Sequence, residues 1–305
     1  MAFLSALGRV LLAKWLPPAL PPAGSFTGQT ILITGATGGL GLEAAIQFVN
    51  LGAKTVIITG RSASKARAAK ATIEQRTGKT GVIQVRELDM STFAGVKRFV
   101  DELIKDVESI DVVLLNAGLF LADYHRTADG WEETIQVNTL STVLLGLLLL
   151  PWLQEMRPVN GKPLHLGFVG SGMHLMVDVE APDFPKEGVL RYWSEQENFR
   201  GSGTYAMSKL FLQYGVDEIV KLAKDEDGKP SPIINTMCPG LCKSDLGRAY
   251  SNKNILYKIG AWLFYALIGK TTEAGARTFV LASMTGPIDH GRYIQHYGTE
   301  EDVAE

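Results

Sequence analysis

The sequence predicts an α/β protein: a single doubly wound parallel-sheet domain with a C-terminal segment that covers a substrate. Three observations predict it. Short aliphatic and β-branched runs alternate with longer helical patterns from about residue 30 to residue 295, the signature of repeated strand–helix–strand units. Most of the short runs are near-continuously apolar, as central parallel strands buried on both faces are. The first of them ends in a glycine-rich turn that opens a helix.

The elements follow in order. Phe3, Leu4, Leu7, Val10, Leu11 and Trp15 recur at helical spacing with Ser5, Arg9 and Lys14 among them, and the segment stops at Pro17–Pro22. Charges within the run and the lack of a basic start argue against a secretory signal. The segment suits either packing on the domain or a partner, or peripheral membrane contact through residues 1–22. Residues 1–24 therefore read as an amphipathic, Pro-rich extension, and 25–305 as one domain. Within that domain, strands are expected at Thr30–Thr34, Thr55–Thr59, Gly81–Leu88, Asp111–Leu115, Leu164–Val169, Ile233–Met237 and Gly291–Gln295. Helices are expected near Leu42–Leu51, Ser64–Gln75, Phe93–Asp106, Trp131–Leu153, Thr204–Lys224 and Thr272–Ser283. No stretch reaches the ~20 apolar residues that cross a bilayer. Val143–Leu153 and Ile255–Gly269, the most apolar, read as buried helices.

Composition narrows the function classes. The 305 residues are 46% hydrophobic and 20% charged with net charge −2, and no basic stripe exists to bind nucleic acid. Cys238 and Cys242 are too few for a disulfide framework and read as reduced thiols. An intracellular protein, cytoplasmic or membrane-surface associated, is expected. Five scattered histidines form no cluster at ligand spacing, so no metal is expected.

Chemistry concentrates at two places. Thr34-Gly35-Ala36-Thr37-Gly38-Gly39-Leu40-Gly41 lies between a strand and a helix. Gly35, Gly39 and Gly41 let the chain bend tightly and approach a diphosphate, while the helix offers its free N–H groups. The second strand ends in Gly60-Arg61-Ser62. An acid that would hold a ribose 2′-hydroxyl is missing, and Arg61 can pair with a 2′-phosphate, so NADP(H) is the expected cofactor. Asp89 after the third strand suits the adenine amino group or a turn or helix cap equally. Farther on, Tyr205 and Lys209 sit one helical turn apart on one face. A cation there favours phenolate and moves a phenol toward useful acid–base chemistry.

Taken together the motifs resemble the short-chain dehydrogenase/reductase family. Thr34–Gly41 matches its TGxxxGxG turn, Asn116-Ala117-Gly118 its NAG motif, and Asn138 its helix asparagine. Ser171 follows a strand, Tyr205 and Lys209 form YxxxK, and Pro239-Gly240 with Ser244 matches PGxxxT. The resemblance runs from about Phe26 to Ile294. It implies a Rossmann fold, with Tyr205 donating a proton to the substrate oxygen and Ser171 holding that oxygen. Lys209 would hold the nicotinamide ribose and Asn138 a water in a proton relay. Gly35, Gly39, Leu40 and Gly41 would line the diphosphate, Asn116, Ala117 and Gly118 the adenosine side, and Pro239, Gly240 and Ser244 the carboxamide side. The chain departs from the pattern at Leu115, where a fuller motif has Asn, and at Gly170, where many members have Ser. Gly38 stands where some NADP-preferring members carry a basic residue, so 2′-phosphate preference depends mainly on Arg61.

Ser171 and Tyr205 are separated by a long insert, which is similar to that of the retinol-dehydrogenase-like branch and its fungal relatives. The substrate loop 172–203 carries Met173, Met176, Phe184, Tyr192, Trp193 and Phe199, and a lid is expected over 245–270, with Ile255, Leu256, Trp262 and Phe264. These residues suit either a bulky apolar ligand or packing onto the body. Glu180, Asp183, Lys186 and Arg191 read as solvated loop charges. The expected activity interconverts a ketone or aldehyde and an alcohol, in specialised-metabolite biosynthesis. Alternatives on the same fold are an epimerase or dehydratase of net-neutral chemistry and a silent NADP-binding regulator. A homo-oligomer is expected from the family's habit.

Overall fold

A computed structural model describes residues 17–156, 161–244, 246, 268–295 and 298–299. The strands are β1 (Thr30–Ile33), β2 (Thr55–Gly60), β3 (Ile83–Glu87), β4 (Val112–Leu115), β5 (His165–Val169), β6 (Ile233–Cys238), β7 (Tyr293–Gln295) and β8 (Gly298–Thr299). They form one sheet in the order β3-β2-β1-β4-β5-β6-β7-β8. Every pairing from β3 to β7 is parallel, and β8 adds antiparallel to β7. The sheet therefore winds outward in both directions from β1 and β4, a doubly wound Rossmann arrangement whose crevice opens at the carboxyl ends of those strands. The short β8 was not anticipated. Two residues carry too little periodicity to register.

Among the described residues the helices are α1 (Gly39–Asn50), α2 (Ala63–Thr77), α3 (Phe93–Asp106), α4 (Glu133–Glu155), α5 (Val189–Tyr192), α6 (Ser202–Leu222) and α7 (Thr272–Ala282). Strand side chains alternate across the sheet, so each strand serves two cores. Ile31, Ile33, Val56, Ile58 and Leu114 pack with Phe48 of α1, Ile73 of α2 and Phe279 of α7. Leu32, Ile57, Val113, Leu115 and Phe168 pack with Phe99 of α3, Leu149 of α4 and Val216 of α6 on the other face. That double burial is why most of the strands read as near-continuous apolar runs.

Two helices approach unusually closely. A side chain at Gly215 of α6 would meet Val143 Cγ2 of α4 at 2.6 Å, and one at Gly146 would meet Phe168 Cζ at 2.7 Å. Helix α4 begins ten residues before the apolar run Val143–Leu153. By length and composition it could cross a membrane, and 67% of its most apolar window is buried in the fold. Its apolarity serves the core, where Leu145, Leu149 and Leu153 are fully enclosed.

The Pro-rich strap 17–24 is tied down. Arg277 of α7 donates to the Pro18 carbonyl at 3.0 Å, Leu20 packs against the first core, and Lys162 donates to the carbonyl of Ser25. Residues 1–16, most of the expected lid 245–270 and most of the run Ile255–Gly269 lie outside the described residues.

Candidate functional site

The site is assembled where β1, β4, β5 and β6 end. At the end of β1, Thr34 Oγ1 accepts hydrogen bonds from the backbone N–H groups of Asn116 and Ala117, at 2.9 and 3.0 Å. The Asn116 side-chain amide faces the glycine turn. It donates to the carbonyls of Thr34 (2.9 Å) and Gly35 (3.3 Å). These bonds bring the turn so close to β4 that Gly35, at φ +66°, has Ala117 Cα within 2.8 Å of where a Cβ would stand. Gly41 has Asn116 Nδ2 at 2.6 Å from the same point. Only glycine fits at either position.

On the open side of this turn the picture reverses. A Cβ on Gly38 would have no neighbour within 4 Å, and one on Gly39 only the Ser244 Cβ at 3.8 Å. No side chain caps α1 and its first turn holds no acid. Free N–H groups there, with Leu40 and Gly41 in the first turn, suit a diphosphate. Ser244 closes the far wall, reached through a turn in which Gly240 takes φ +73° and Ser244 N–H donates to the Cys242 carbonyl at 3.0 Å. The residues present fit a bound dinucleotide.

Beyond β2, Arg61 is half exposed and ion-paired to Glu133 in the first turn of α4, Nη1 to Oε1 at 3.1 Å. Asp89 Oδ1 accepts from Ser91 N (2.9 Å) and Ser91 Oγ (2.7 Å). That is the turn-forming role of an aspartate.

The second half of the site sits on α6. Tyr205 and Lys209 are both buried, with Lys209 Nζ 5.9 Å from the centre of the Tyr205 ring. Phe120 lies against that ring with centroids 4.6 Å apart. Lys209 Nζ donates to the Val169 carbonyl at 2.8 Å. Burial pulls its pKa down to about 8, opposed in part by the nearby Cys238 sulfur. Gly118 borders this lysine, and a Cβ there would stand 3.7 Å from Nζ and 3.2 Å from Asn138 Oδ1.

Asn138 lies in a π-helical stretch, Gln136–Ser141, within α4. Its Oδ1 accepts from Leu119 N–H at 2.7 Å, while Nδ2 donates to the Leu119 carbonyl and to Ser208 Oγ, both at 2.9 Å. Ser208 Oγ in turn donates to the Tyr205 carbonyl at 2.7 Å. The amide protons are thus spent on bracing α6 against the β4 loop. A water could reach this side chain only at the remaining lone pair of Oδ1.

Ser171 caps a short turn, Gly172–Met176, that packs on α6. Its hydroxyl oxygen accepts from Met173 N–H at 3.3 Å and keeps its own proton to donate. Its carbonyl is held by His174, through the backbone N–H at 3.1 Å and Nδ1 at 2.7 Å. The His174 ring packs edge-on to Tyr293. The departure at Gly170 has a physical cause, for a Cβ there would meet Thr236 Cγ2 at 2.6 Å and Tyr293 Cε2 at 3.2 Å.

Thr34 opens the TGxxxGxG turn read from the sequence, whereas sequence reasoning did not find Phe120, Ser208, His174 or Glu133 as parts of this site. Ser208 lies inside the Tyr205–Lys209 motif, and its position one residue before the lysine was the available signal. The others become visible only through contacts between distant segments. In the insert, Arg191 is not a simply solvated charge: its guanidinium lies 3.6 Å over the Trp131 ring. Phe199 packs edge-on to Tyr124, whose hydroxyl donates to the Ser194 carbonyl at 3.1 Å. Leu175 and Met176 are exposed beside Ser171, at 67% and 79%.

Known proteins resemble this chain in sequence and in fold. The family model for short chain dehydrogenases matches residues 29–162. Short-chain dehydrogenase/reductase ffsI of Aspergillus flavipes is 38% identical over 293 residues, 96% of this chain and 84% of that protein. The corresponding phmF of Phaeosphaeria nodorum is 37% identical over 280 residues, 90% of this chain and 80% of its own length. A short chain dehydrogenase from Escherichia coli CFT073, solved with NADPH, shares the fold at 21% identity and TM-score 0.64, over 90% of this chain and 99% of that one. A second, from Shigella flexneri 2a and complexed with NADP, superposes with TM-score 0.63 at 20% identity, over 90% and 99%. Because the Aspergillus flavipes relative is 38% identical over 96% of this chain, the chain belongs to the short-chain dehydrogenase/reductase family of oxidoreductases.

Proposed function

We propose that the chain is an NADP(H)-dependent enzyme that interconverts a ketone or aldehyde and an alcohol on a bulky apolar substrate of specialised metabolism. One observation carries the reading: Tyr205 and Lys209 are buried together on α6, close to Ser171, at the edge of a sheet whose first turn is open to a diphosphate. Support for NADP(H) comes from Arg61 after β2 and from the structural relatives solved with NADP or NADPH.

When bound, the nicotinamide supplies or accepts the hydride. The chain's own residues handle the oxygen and its proton. Ser171 donates a hydrogen bond to the substrate oxygen and fixes its direction toward Tyr205. In reduction, Tyr205 gives its proton to that oxygen as the carbonyl carbon becomes an alcohol carbon. Solvent then restores the phenol. Lys209 places a positive charge beside the phenol, which favours the transient phenolate. Asn138 and Ser208 hold α6 in register with the β4 loop, keeping these groups aligned.

An apolar substrate suits Phe120 beside Tyr205 and the exposed Leu175 and Met176 after Ser171, since such sites take most of their affinity from apolar contact. The test is incubation with NADPH and a panel of lipophilic ketones, followed by product analysis. Tyr205→Phe is expected to lose at least ~100-fold in turnover, the lower range for a general acid, while binding NADPH as the parent does. Near-normal turnover would remove Tyr205 from the mechanism. A product formed with no net oxidation of NADPH would favour epimerase or dehydratase chemistry.

A further inference from the structure

The two nicotinamide cofactors differ only at the adenosine 2′ position, where NADP(H) carries a phosphate of about −2 charge and NAD(H) a neutral hydroxyl. Arg61 is the cation that the end of β2 offers to that position. In this structure Arg61 is not alone. Glu133, from a segment 72 residues away, takes one Nη1 donor at 3.1 Å, and its side chain is only 20% exposed while that of Arg61 is 55% exposed. The carboxylate is therefore the fixed member of the pair and the guanidinium the held one.

A guanidinium has five donors in one rigid plane. Glu133 occupies one, and no other hydrogen bond to Arg61 is present among the described residues. A phosphate can dock on a remaining edge, but the width of the guanidinium then leaves it roughly 4–7 Å from the Glu133 carboxylate, close enough for direct repulsion. A ribose hydroxyl carries no charge and meets no such repulsion.

We propose that Glu133 is a specificity-determining residue for the cofactor: it holds Arg61 and places a carboxylate beside the 2′ position, which limits the preference for NADP(H) and admits NAD(H). This rests on Arg61 serving the 2′ position as read above. Glu133→Gln keeps the shape and an acceptor for Arg61 while removing the charge. Across water-like dielectric, loss of one charge at this distance from a dianion raises the NADPH:NADH affinity ratio by about three- to tenfold.

The experiment is fluorescence titration of NADPH and NADH against the full chain, Glu133→Gln, Glu133→Asp and Arg61→Ala. The expected result is a ratio about three- to tenfold higher in Glu133→Gln, near parental in Glu133→Asp, and a smaller gain at high salt. A role confined to folding would leave the ratio unmoved. An unchanged or lower ratio in Glu133→Gln, with the NADPH preference lost in Arg61→Ala, overturns the proposal and spares the cofactor reading. A preference that survives Arg61→Ala overturns both.

Discussion

Lys209 shows how a single residue carries two demands. Its Nζ is enclosed and bonded to a carbonyl, so the ammonium has lost water without gaining a carboxylate. Its folded pKa of about 8 lies below the ~10.4 of a free lysine. Between these values the unfolded chain binds a proton that the folded chain does not, so stability rises with pH across that window. The cost of the buried charge is fully present below about pH 8 and fades as pH rises toward ~10.4. In the cofactor-free protein, Lys209→Met has no such titration. The parent is therefore expected to gain on this variant between pH 7 and pH 9.5, by up to ~2 kcal/mol, in denaturant midpoints measured at both. A difference that stays constant with pH would count against the burial argument.

At the scale of elements, the insert between β5 and α6 is held by few but specific contacts. Arg191 over Trp131 and Tyr124 bonded to Ser194 join it to the segment before α4. A cation–π contact of this kind contributes ~0.5–2 kcal/mol. Arg191→Ala is expected to speed cleavage within 172–200 by about fivefold for each ~1 kcal/mol lost, with NADPH affinity unchanged. Limited proteolysis with chymotrypsin reads it directly, and an unaltered rate would mean that the aromatic packing alone secures the insert. The short α5 was not anticipated, but α3 was legible from an apolar stripe at a period of 3.6 and α4 from its continuous apolar run. The π-helical stretch around Asn138 was not. It is fixed by bonds such as Thr139 Oγ1 to the Ser208 carbonyl at 2.7 Å, which join segments 69 residues apart.

At the scale of the whole molecule, the start of the domain is tied to α7. The strap 17–24 is bonded by Arg277 and packs Leu20 on the core. Removing residues 1–16 leaves every one of these described contacts in place, whereas removal through Gly24 deletes them. The longer truncation is expected to lower Tm by several degrees, at roughly 2–4 °C per kcal/mol for a domain of this size. The shorter one is expected to leave these contributions intact. Thermal melts of both decide it, and equal Tm values would show the strap to be dispensable.

The sequence by itself determined the sheet's class and winding. A parallel strand buried on both faces is apolar almost throughout, and Ile31, Leu32 and Ile33 state that locally; the glycines of the first turn are an equally local signal. It also determined that Tyr205 and Lys209 share a helix face, because one turn is a local distance. What only the tertiary structure decided is what those residues face. The pairing of Arg61 with Glu133, the bracing of Asn116 and Asn138, and the crowding that demands Gly170 all arise between segments far apart in the chain. Local periodicity encodes which side of an element is buried. It carries no record of which distant side chain will be waiting there, since that depends on how the strands are ordered across the sheet.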